Sequence, residues 1–280
     1  MFKKYILSNT KAKIGIAIIL FFCLVAIFAP LLAPYNPRAI TFNPWEKPSL
    51  MHPLGVNSYG QDLLSQLIHG TRVTLTIGIF AGLLTSLIGI AVGLITGYVG
   101  GILGEVLMRV VDVLLVIPAL AVMIVIASFI PELRISGTII IIGALSWLRM
   151  ARSIRSQVLS ESRRDYVDAA RALGMGPWEI MFREILPNIF PVVTANMIMV
   201  ITASMLTEAA MSFLGIGDPS LTSWGRMLSL ANEMSAFLYN AWWWIVPPGL
   251  CIATLGYSFM LIGNSFLDIY ANDRGGAVKL

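Results

Sequence analysis

The sequence predicts an all-α, polytopic membrane protein with six transmembrane helices. Hydrophobic residues make up 57% of the 280-residue chain and charged residues only 12%, whereas soluble domains carry about 25% charged residues. The mean hydropathy is +0.81, and the apolar residues form long runs, most of which can cross about 30 Å of hydrocarbon. A soluble globular fold is therefore excluded, and the chain is divided into spans.

The first predicted span is residues 14–33, preceded by a lysine-rich N-terminal tail, residues 1–13. The run contains 20 residues without a charge, which suffices for one crossing. A cleaved signal peptide is the competing interpretation, but its apolar region has about 7–15 residues. Because this run is longer and ends in Ala29-Pro30 and Ala33-Pro34, we expect the span to be retained.

Residues 34–72 contain five prolines, which argues against a long helix. We expect an external loop with one short helix near residues 61–69. The second span, residues 73–98, contains glycines at a spacing of four, namely Gly78, Gly82, Gly89, Gly93 and Gly97. This spacing places small residues on one helix face and predicts the close approach of another helix.

The remaining predicted spans are residues 110–130, 135–151, 189–207 and 245–266. Pro118 predicts a kink in the third span, which neighbouring helices can accommodate, and residues 131–134 form a turn. The fourth apolar run is short, so its helix is expected to continue out of the membrane with arginines near the head groups. Residues 152–188 form a polar segment, residues 208–244 an external segment, and residues 271–280 a tail.

The distribution of basic residues predicts the orientation of the chain. Six spans place both termini on one side of the membrane. With the N-terminus inside, 14 of the 19 lysines and arginines lie inside and five outside. The positive-inside rule therefore predicts that both termini and residues 152–188 are cytoplasmic.

Residues 165–187, which we name the coupling segment, form the longest charged stretch in the C-terminal two-thirds of the chain. Residues 166–173 favour a short helix, Gly174 suits its C-terminal cap, and Pro177 suits the first turn of a second helix. Trp178, Met181 and Phe182 mark one face of this second helix, which Pro187 closes. Two short helices on the cytoplasmic surface indicate docking into the groove of a partner. A surface loop that binds only lipid head groups is the alternative.

Two motifs in the coupling segment carry a resemblance to a known family. Asp168-Ala169-Ala170-x-x-x-Gly174, followed by Leu186-Pro187, resembles the E-A-A-x-x-x-G…I-x-L-P motif of importer-type ABC transporter permeases. Asp168 replaces the usual glutamate, and Glu184 occupies the position of the usual isoleucine. The second departure removes one apolar contact but leaves the spacing intact.

Three further segments narrow the resemblance to the C-type subunit of the dipeptide/oligopeptide/nickel permease family. Residues 54–65 are similar to its G-T-D-x-x-G-R-D-x-x-S segment, with Asn57 and Gln61 in place of the common aspartate and arginine. Residues 212–217 and 223–228 resemble its S-F-L-G-x-G and S-W-G-x-M-L segments. The resemblance covers residues 1–270.

The resemblance implies the transmembrane domain of a type I ABC importer in the inner membrane of a prokaryote. Such a subunit forms half of a translocation path with a homologous B-type permease subunit. Two cytoplasmic ABC ATPase subunits bind ATP and Mg, an extracytoplasmic substrate-binding protein delivers the solute, membrane lipid surrounds the spans, and no nucleic-acid partner is expected. Peptides are the implied substrates, with nickel chelates and oligosaccharides as alternatives. The implied ATPase-docking residues are Asp165, Tyr166, Asp168, Ala169, Ala170, Leu173, Gly174, Trp178, Met181, Leu186 and Pro187.

The residues themselves indicate that the energy for transport comes from a partner or an ion gradient and not from a nucleotide bound to this chain. The chain has no G-x-x-x-x-G-K-[ST] run, so we expect no nucleotide on this chain. Cys23 and Cys251 both lie in apolar runs, and His52 and His69 are too few for a metal site. No catalytic, cofactor or metal residues are predicted, which disfavours a membrane enzyme.

An ion-coupled secondary transporter or a channel needs charged groups within the spans. Asp112 lies three residues after Arg109, which allows an interfacial ion pair on one helix face. Glu208 lies at the external end of the fifth span. We interpret it either as a solvated helix end or as part of a gate or a receptor contact. The candidates for the translocation path or external gate are Asn196, Ser204, Glu208 and Phe213.

Overall fold

The computed structural model describes residues 9–130 and 133–276, with side chains described through Leu267 except that of Leu103. Within these ranges the regular structure is helical, apart from one isolated bridge between Val56 and Asp62. The helices are α1 (Thr10–Ile27), α2 (Ala29–Leu32), α3 (Leu63–Tyr98), α4 (Gly101–Leu114), α5 (Ala119–Ser128), α6 (Ile135–Ser146), α7 (Leu148–Glu161), α8 (Asp165–Ala172), α9 (Pro177–Glu179), a π-helical turn (Ile180–Ile185), α10 (Leu186–Phe213), α11 (Trp224–Glu233) and α12 (Trp242–Gly276).

The prediction of an all-α, polytopic membrane fold is confirmed. Four helices are long and apolar enough to cross a membrane: Thr10–Ile27, Leu63–Tyr98, Pro177–Phe213 and Trp242–Leu267. Two pairs pass the same test together, α4 with α5, bent by 81°, and α6 with α7, bent by 44°. Counting each bent pair as one span brings the number in the described residues to six.

Helix α3 lies at the centre of the bundle because its glycines admit two different neighbours. A Cβ atom at Gly78 or Gly82 would lie 2.0 Å from Met205 Cγ or 2.7 Å from Ile201 Cα, both on α10. At Gly89, Gly93 and Gly97 a Cβ atom would meet α7 instead, at Met150, Ile154 and Val158. The predicted close approach is therefore present, and it is divided between two helices.

Several helix boundaries differ from those that hydropathy indicates. The helix of the second span begins at Leu63 rather than at residue 73, so the expected short helix near residues 61–69 is its first part. The helix of the fifth span extends to Phe213, beyond residue 207. Helices need not end where the lipid ends, because their backbone hydrogen bonds are made within the helix whatever surrounds it.

The third and fourth spans are bent rather than straight. Helix α4 ends at Leu114 and α5 starts at Ala119, so the helix is interrupted over residues 115–118. The interruption includes Pro118, where the sequence predicts a kink. Helix α7 continues the fourth span to Glu161. Residues 131 and 132 of the predicted turn, residues 1–8 of the N-terminal tail and residues 277–280 of the C-terminal tail lie outside the described residues; residues 271–276 continue α12.

A buried Asp–His pair connects the loop of residues 34–62 to the start of α3. Asp62 is the N-cap residue: its Oδ2 accepts hydrogen bonds from the backbone N–H of Ser65, at 2.8 Å, and from the Ser65 hydroxyl, at 2.7 Å. Its Oδ1 lies 2.9 Å from His52 Nδ1, and both side chains are buried. His52 also packs on the rings of Tyr35 and Phe42. His52 therefore has a structural role that the sequence analysis did not predict.

We expect Asp62→Ala to lower the thermal stability of the purified protein. Losing the N-cap costs about 0.5–2 kcal/mol, and leaving buried His52 without its partner costs about 1–3 kcal/mol more. The measurement is the apparent Tm in detergent. Asp218→Ala is the control, because Asp218 accepts a hydrogen bond from Ser220 N in an exposed turn. An equal Tm for the two variants would contradict the structural role of Asp62.

Candidate coupling surface and transport path

The coupling segment lies on one side of the bundle, which we call the loop side; residues 34–62 and α11 lie on the far side. Its first helix, α8, ends at a turn in which Gly174 has φ +83°. Met175 N donates to Ala170 O at 3.2 Å and Gly174 N donates to Arg171 O at 3.0 Å. This is the Schellman pattern of a helix end, which requires a left-handed residue. A Cβ atom at Gly174 would meet nothing within 4 Å.

The turn presents three large apolar side chains to the outside. Leu173 is 83% exposed, Trp178 60% and Phe182 53%, and the rings of Trp178 and Phe182 stack with centroids 6.3 Å apart. We name these three residues the apolar patch. Large exposed apolar groups on a polar segment are typical of protein–protein contacts. Ala169 and Gly174, which are both exposed, lie on the same turn.

The opposite face of the coupling segment packs on its own bundle. Val167, Ala170, Ile180 and Ile185 are buried in one cluster with residues of α3, α7 and α10, namely Leu94, Ile154, Val158, Ile189 and Val193. Any motion imposed on the segment is therefore transmitted to these three helices through close packing.

Two of the predicted docking residues are buried against the bundle by this packing. Ala170 is 5% exposed and Met181 1% exposed, so neither is available to a partner in this structure. The second helix has two apolar faces: Trp178 and Phe182 lie on the outer one, whereas Ile180 and Met181 are on the inner one. A count of apolar positions does not distinguish a face covered by the same chain from one left open. Leu186 is half-buried and Pro187 is exposed.

The second helix does not end at Pro187. It passes through the π-helical turn Ile180–Ile185 directly into α10, with Pro187 in the first turn of that helix. A proline inside a continuous helix removes one backbone hydrogen bond, and Pro187 directly follows the π-helical turn, where the bonding pattern already departs from that of an α-helix. The second helix of the coupling segment and the fifth span thus form one continuous helical element, Pro177–Phe213.

The polar residues of the coupling segment bond to one another and to Glu161 at the end of α7. Asp168 Oδ1 accepts a hydrogen bond from Arg171 at 2.9 Å, and both side chains are exposed. The Tyr166 hydroxyl donates to Glu161 at 3.0 Å. Burial, together with this hydrogen bond and the nearby carboxylate, raises the pKa of Tyr166 to about 12, so the phenol remains a donor at neutral pH. Asp165 is exposed at the start of α8.

The residues predicted to line the path occupy different environments. Asn196 is half-buried; its side-chain N–H donates to Val192 O at 2.9 Å and its carbonyl accepts from the Ser153 hydroxyl of α7 at 3.4 Å. Ser204 is buried, and its hydroxyl has no hydrogen-bond partner among the described residues. Phe213 is 43% exposed at the far-side end of α10. Only Phe213 of these three has a large exposed surface in the single chain.

Glu208 is fully buried, so the interpretation as a solvated helix end is wrong. Its Oε1 accepts a hydrogen bond from the Ser212 hydroxyl at 2.7 Å. Helix α11 covers this end of α10 closely, since a Cβ atom at Gly225 would lie 2.4 Å from Ala209 O. The sequence does not show that α11 covers Glu208, because the polar stretch between α10 and α11 is typical of an open loop.

The carboxylate of Asp112 has a partner on another helix. Its Oδ1 lies 3.4 Å from Arg152 on α7, whereas the sequence indicates Arg109, three residues earlier on the same helix. Asp112 lies on α4 and Arg152 on α7, and no spacing along one helix can reveal a contact between two helices. Among the described residues no group of three His, Cys, Asp or Glu side chains could hold a metal ion.

Comparisons with known proteins agree with these features. Residues 89–273 match the family described as "Binding-protein-dependent transport system inner membrane component". Residues 2–52 match the "N-terminal TM domain of oligopeptide transport permease C". The first match spans more than half of the chain and includes the coupling segment and the last span.

Curated relatives cover nearly the whole chain. The oligopeptide transport system permease protein OppC of Bacillus subtilis is 33% identical over 93% of this chain and 85% of its own length. The dipeptide transport system permease protein DppC of Escherichia coli K12 is 38% identical over 95% of this chain and 90% of its own length. The di/tripeptide transport system permease protein DppC of Pseudomonas aeruginosa is 33% identical over 93% and 87%. The chain therefore belongs to the family of binding-protein-dependent transport system inner membrane components.

Proposed function

We propose that this chain is a permease subunit of an ABC importer for peptides, and that it forms half of the translocation path. Family membership supports the transport role, and the names of relatives that match over most of their length support peptides as the cargo. The other half of the path is a homologous permease subunit. A binding protein outside the cell delivers the peptide, and two ATPase subunits supply the energy.

The proposed orientation places the loop side in the cytoplasm, with both termini on that side. The excess of lysine and arginine on the loop side supports this orientation. The ATPase subunits then meet the coupling segment, and residues 34–62 and 208–244 face the binding protein. Rocking of the helices about the path opens it alternately to the two sides.

One observation carries the coupling role most directly: the apolar patch is exposed on one face of a segment whose other face is packed into three spans. Exposed Leu, Trp and Phe side chains gain from burial in a partner's groove. The packed face converts a push on the segment into movement of α3, α7 and α10. A lipid-binding loop would need neither the buried inner face nor the continuity with α10.

Removing the apolar patch tests this proposal. We expect the double variant Trp178→Ala/Phe182→Ala to retain at least tenfold less ATPase during purification of the assembled complex, because aromatic anchors contribute about 2 kcal/mol or more each to an interface. The control is Phe21→Ala, which removes an aromatic ring of similar exposure, 61%, from α1. Equal retention of the ATPase by both variants would overturn the docking role.

A further inference from the structure

A groove on the loop-side half of the bundle contains two arginines that the coupling role does not use. The groove has a volume of about 500 Å³ and is lined by Leu115, Arg149, Arg152, Ser153 and Ser156. We name it the basic groove. Its volume falls within the range of about 300–1,000 Å³ that is typical of small-molecule sites.

Both arginines of the basic groove belong to the bent pair of α6 and α7, which together pass the test for one membrane span. Met150, beside Arg149, packs on Gly89 of α3, and Gly89 precedes the end of α3 at Tyr98 by nine residues. At about 1.5 Å per residue, Arg149 is about 14 Å from the loop-side end of that helix. Arginine side chains within a span face a protein partner or a water-filled cavity rather than acyl chains, because their charge is costly in hydrocarbon.

The opposite wall of the groove points to the same conclusion independently. Leu115 belongs to the break between α4 and α5, where the two helices bend by 81° and Val116 is 82% exposed. Irregular backbone at membrane depth is tolerated where protein covers it or where it lines a water-filled cavity. A broken helix and two arginines on one groove therefore indicate an aqueous path.

The charges in the basic groove are unbalanced. Arg152 lies 3.4 Å from Asp112 of α4, beside the groove, and Arg149, which is exposed, has no acidic partner in the part of the chain that the structure describes. The groove therefore carries a net positive charge. Guanidinium groups bind carboxylates through paired N–H donors, so this wall suits a carboxylate, the anionic group that every unmodified peptide carries at its C-terminus.

Given the proposed function, we infer that the basic groove is a section of the translocation path that binds the terminal carboxylate of a peptide in transit. Arg149 donates to the carboxylate first, and Arg152 exchanges Asp112 for it. Because Asp112 competes for Arg152, the carboxylate is bound weakly enough to leave, as conduction requires. Ser153 connects this wall to α10 through its hydrogen bond to Asn196.

The test is transport by the whole complex, reconstituted in proteoliposomes with its binding protein and ATPases. Uptake of trialanine and of trialanine amide is measured at equal occupancy of the binding protein, for the wild type and for Arg149→Gln and Arg152→Gln. We expect each variant to reduce trialanine uptake at least fivefold and amide uptake less than twofold. Arg72→Gln, which removes an exposed arginine near the far-side end of α3, should change neither.

Three results overturn the inference. Equal reductions for both peptides would mean that the arginines hold the assembly together, and no reduction would mean that they face away from the path. A reduction that follows the anionic lipid content of the vesicles, and not the charge of the peptide, would assign the groove to lipid head groups. If the wild-type complex transports neither peptide, the proposed function is contradicted. A second measurement, independent of transport, then tests whether the groove is aqueous and attracts anions.

That second measurement is thiol labelling in membranes. In a background with Cys23→Ala and Cys251→Ala, the Ser156→Cys variant should react with a water-soluble, negatively charged thiosulfonate at least tenfold faster than Leu20→Cys, which places the thiol on an exposed apolar position of α1. Adding Arg149→Gln should slow the reaction of Ser156→Cys. Equal rates at positions 156 and 20 would show that no aqueous, anion-attracting groove exists.

Discussion

Replacing Gly174 by Asp is expected to abolish peptide uptake by the complex while leaving this chain folded. The residue has φ +83°, a conformation that costs most L-residues about 1–2 kcal/mol but that Asp adopts more readily than most. Open space surrounds the position, so the fold tolerates the side chain. The added carboxylate lies beside Leu173 in the apolar patch, where a docked ATPase would have to bury it at high cost. We expect uptake at least tenfold lower and ATP hydrolysis that no longer responds to the loaded binding protein.

Two variants separate the causes of this effect. Gly176→Asp adds the same charge two residues away, at an exposed position with an ordinary φ of −70° and nothing within 4 Å of its Cβ. Gly174→Asn adds a side chain of the same shape without the charge. We expect uptake within twofold of wild type for Gly176→Asp and an intermediate value for Gly174→Asn. Wild-type uptake by Gly174→Asp, or equal losses for both aspartate variants, would argue against docking at this turn.

Replacing Gly93 by Ala is expected to destabilise the bundle at the close contact of α3 with α7. The added methyl group would lie 2.7 Å from Ile154 Cβ and 2.8 Å from the carbonyl oxygen of Ala151. The second neighbour is backbone, so α3 and α7 must separate rather than one side chain rotate. Overpacking of this kind costs about 1–3 kcal/mol. The measurement is the apparent Tm of the purified chain, together with its yield from the membrane.

The matched control is Gly249→Ala in α12. This glycine is also helical, and nothing lies within 4 Å of its Cβ position. Alanine in place of a helical glycine stabilises by about 0.5–1 kcal/mol when no clash occurs. We therefore expect opposite shifts of the apparent Tm, downwards for Gly93→Ala and unchanged or upwards for Gly249→Ala. A fall of similar size in both variants would show that the contact of α3 with α7 is not limiting.

The fold class could be predicted without the structure because membrane spans follow from local composition. A run of about 20 apolar residues must cross the membrane as a helix, whatever its neighbours are. The same holds for the glycine spacing of α3 and for the turn at Gly174, since both depend on residues within a few positions. Helix ends were less predictable: Asp62 directly before an apolar helix is a capping signal, yet hydropathy alone places the start of the span ten residues later.

Sequence by itself determined the all-α membrane fold class, the glycine spacing of α3 and the turn at Gly174. Only the tertiary structure decided that Ala170 and Met181 face inwards, that Asp112 pairs with Arg152, and that Glu208 is covered by α11. Periodicity reports which residues share a face of one helix. Which face is covered, and by what, depends on contacts between residues far apart in the chain, and these exist only once the helices have packed.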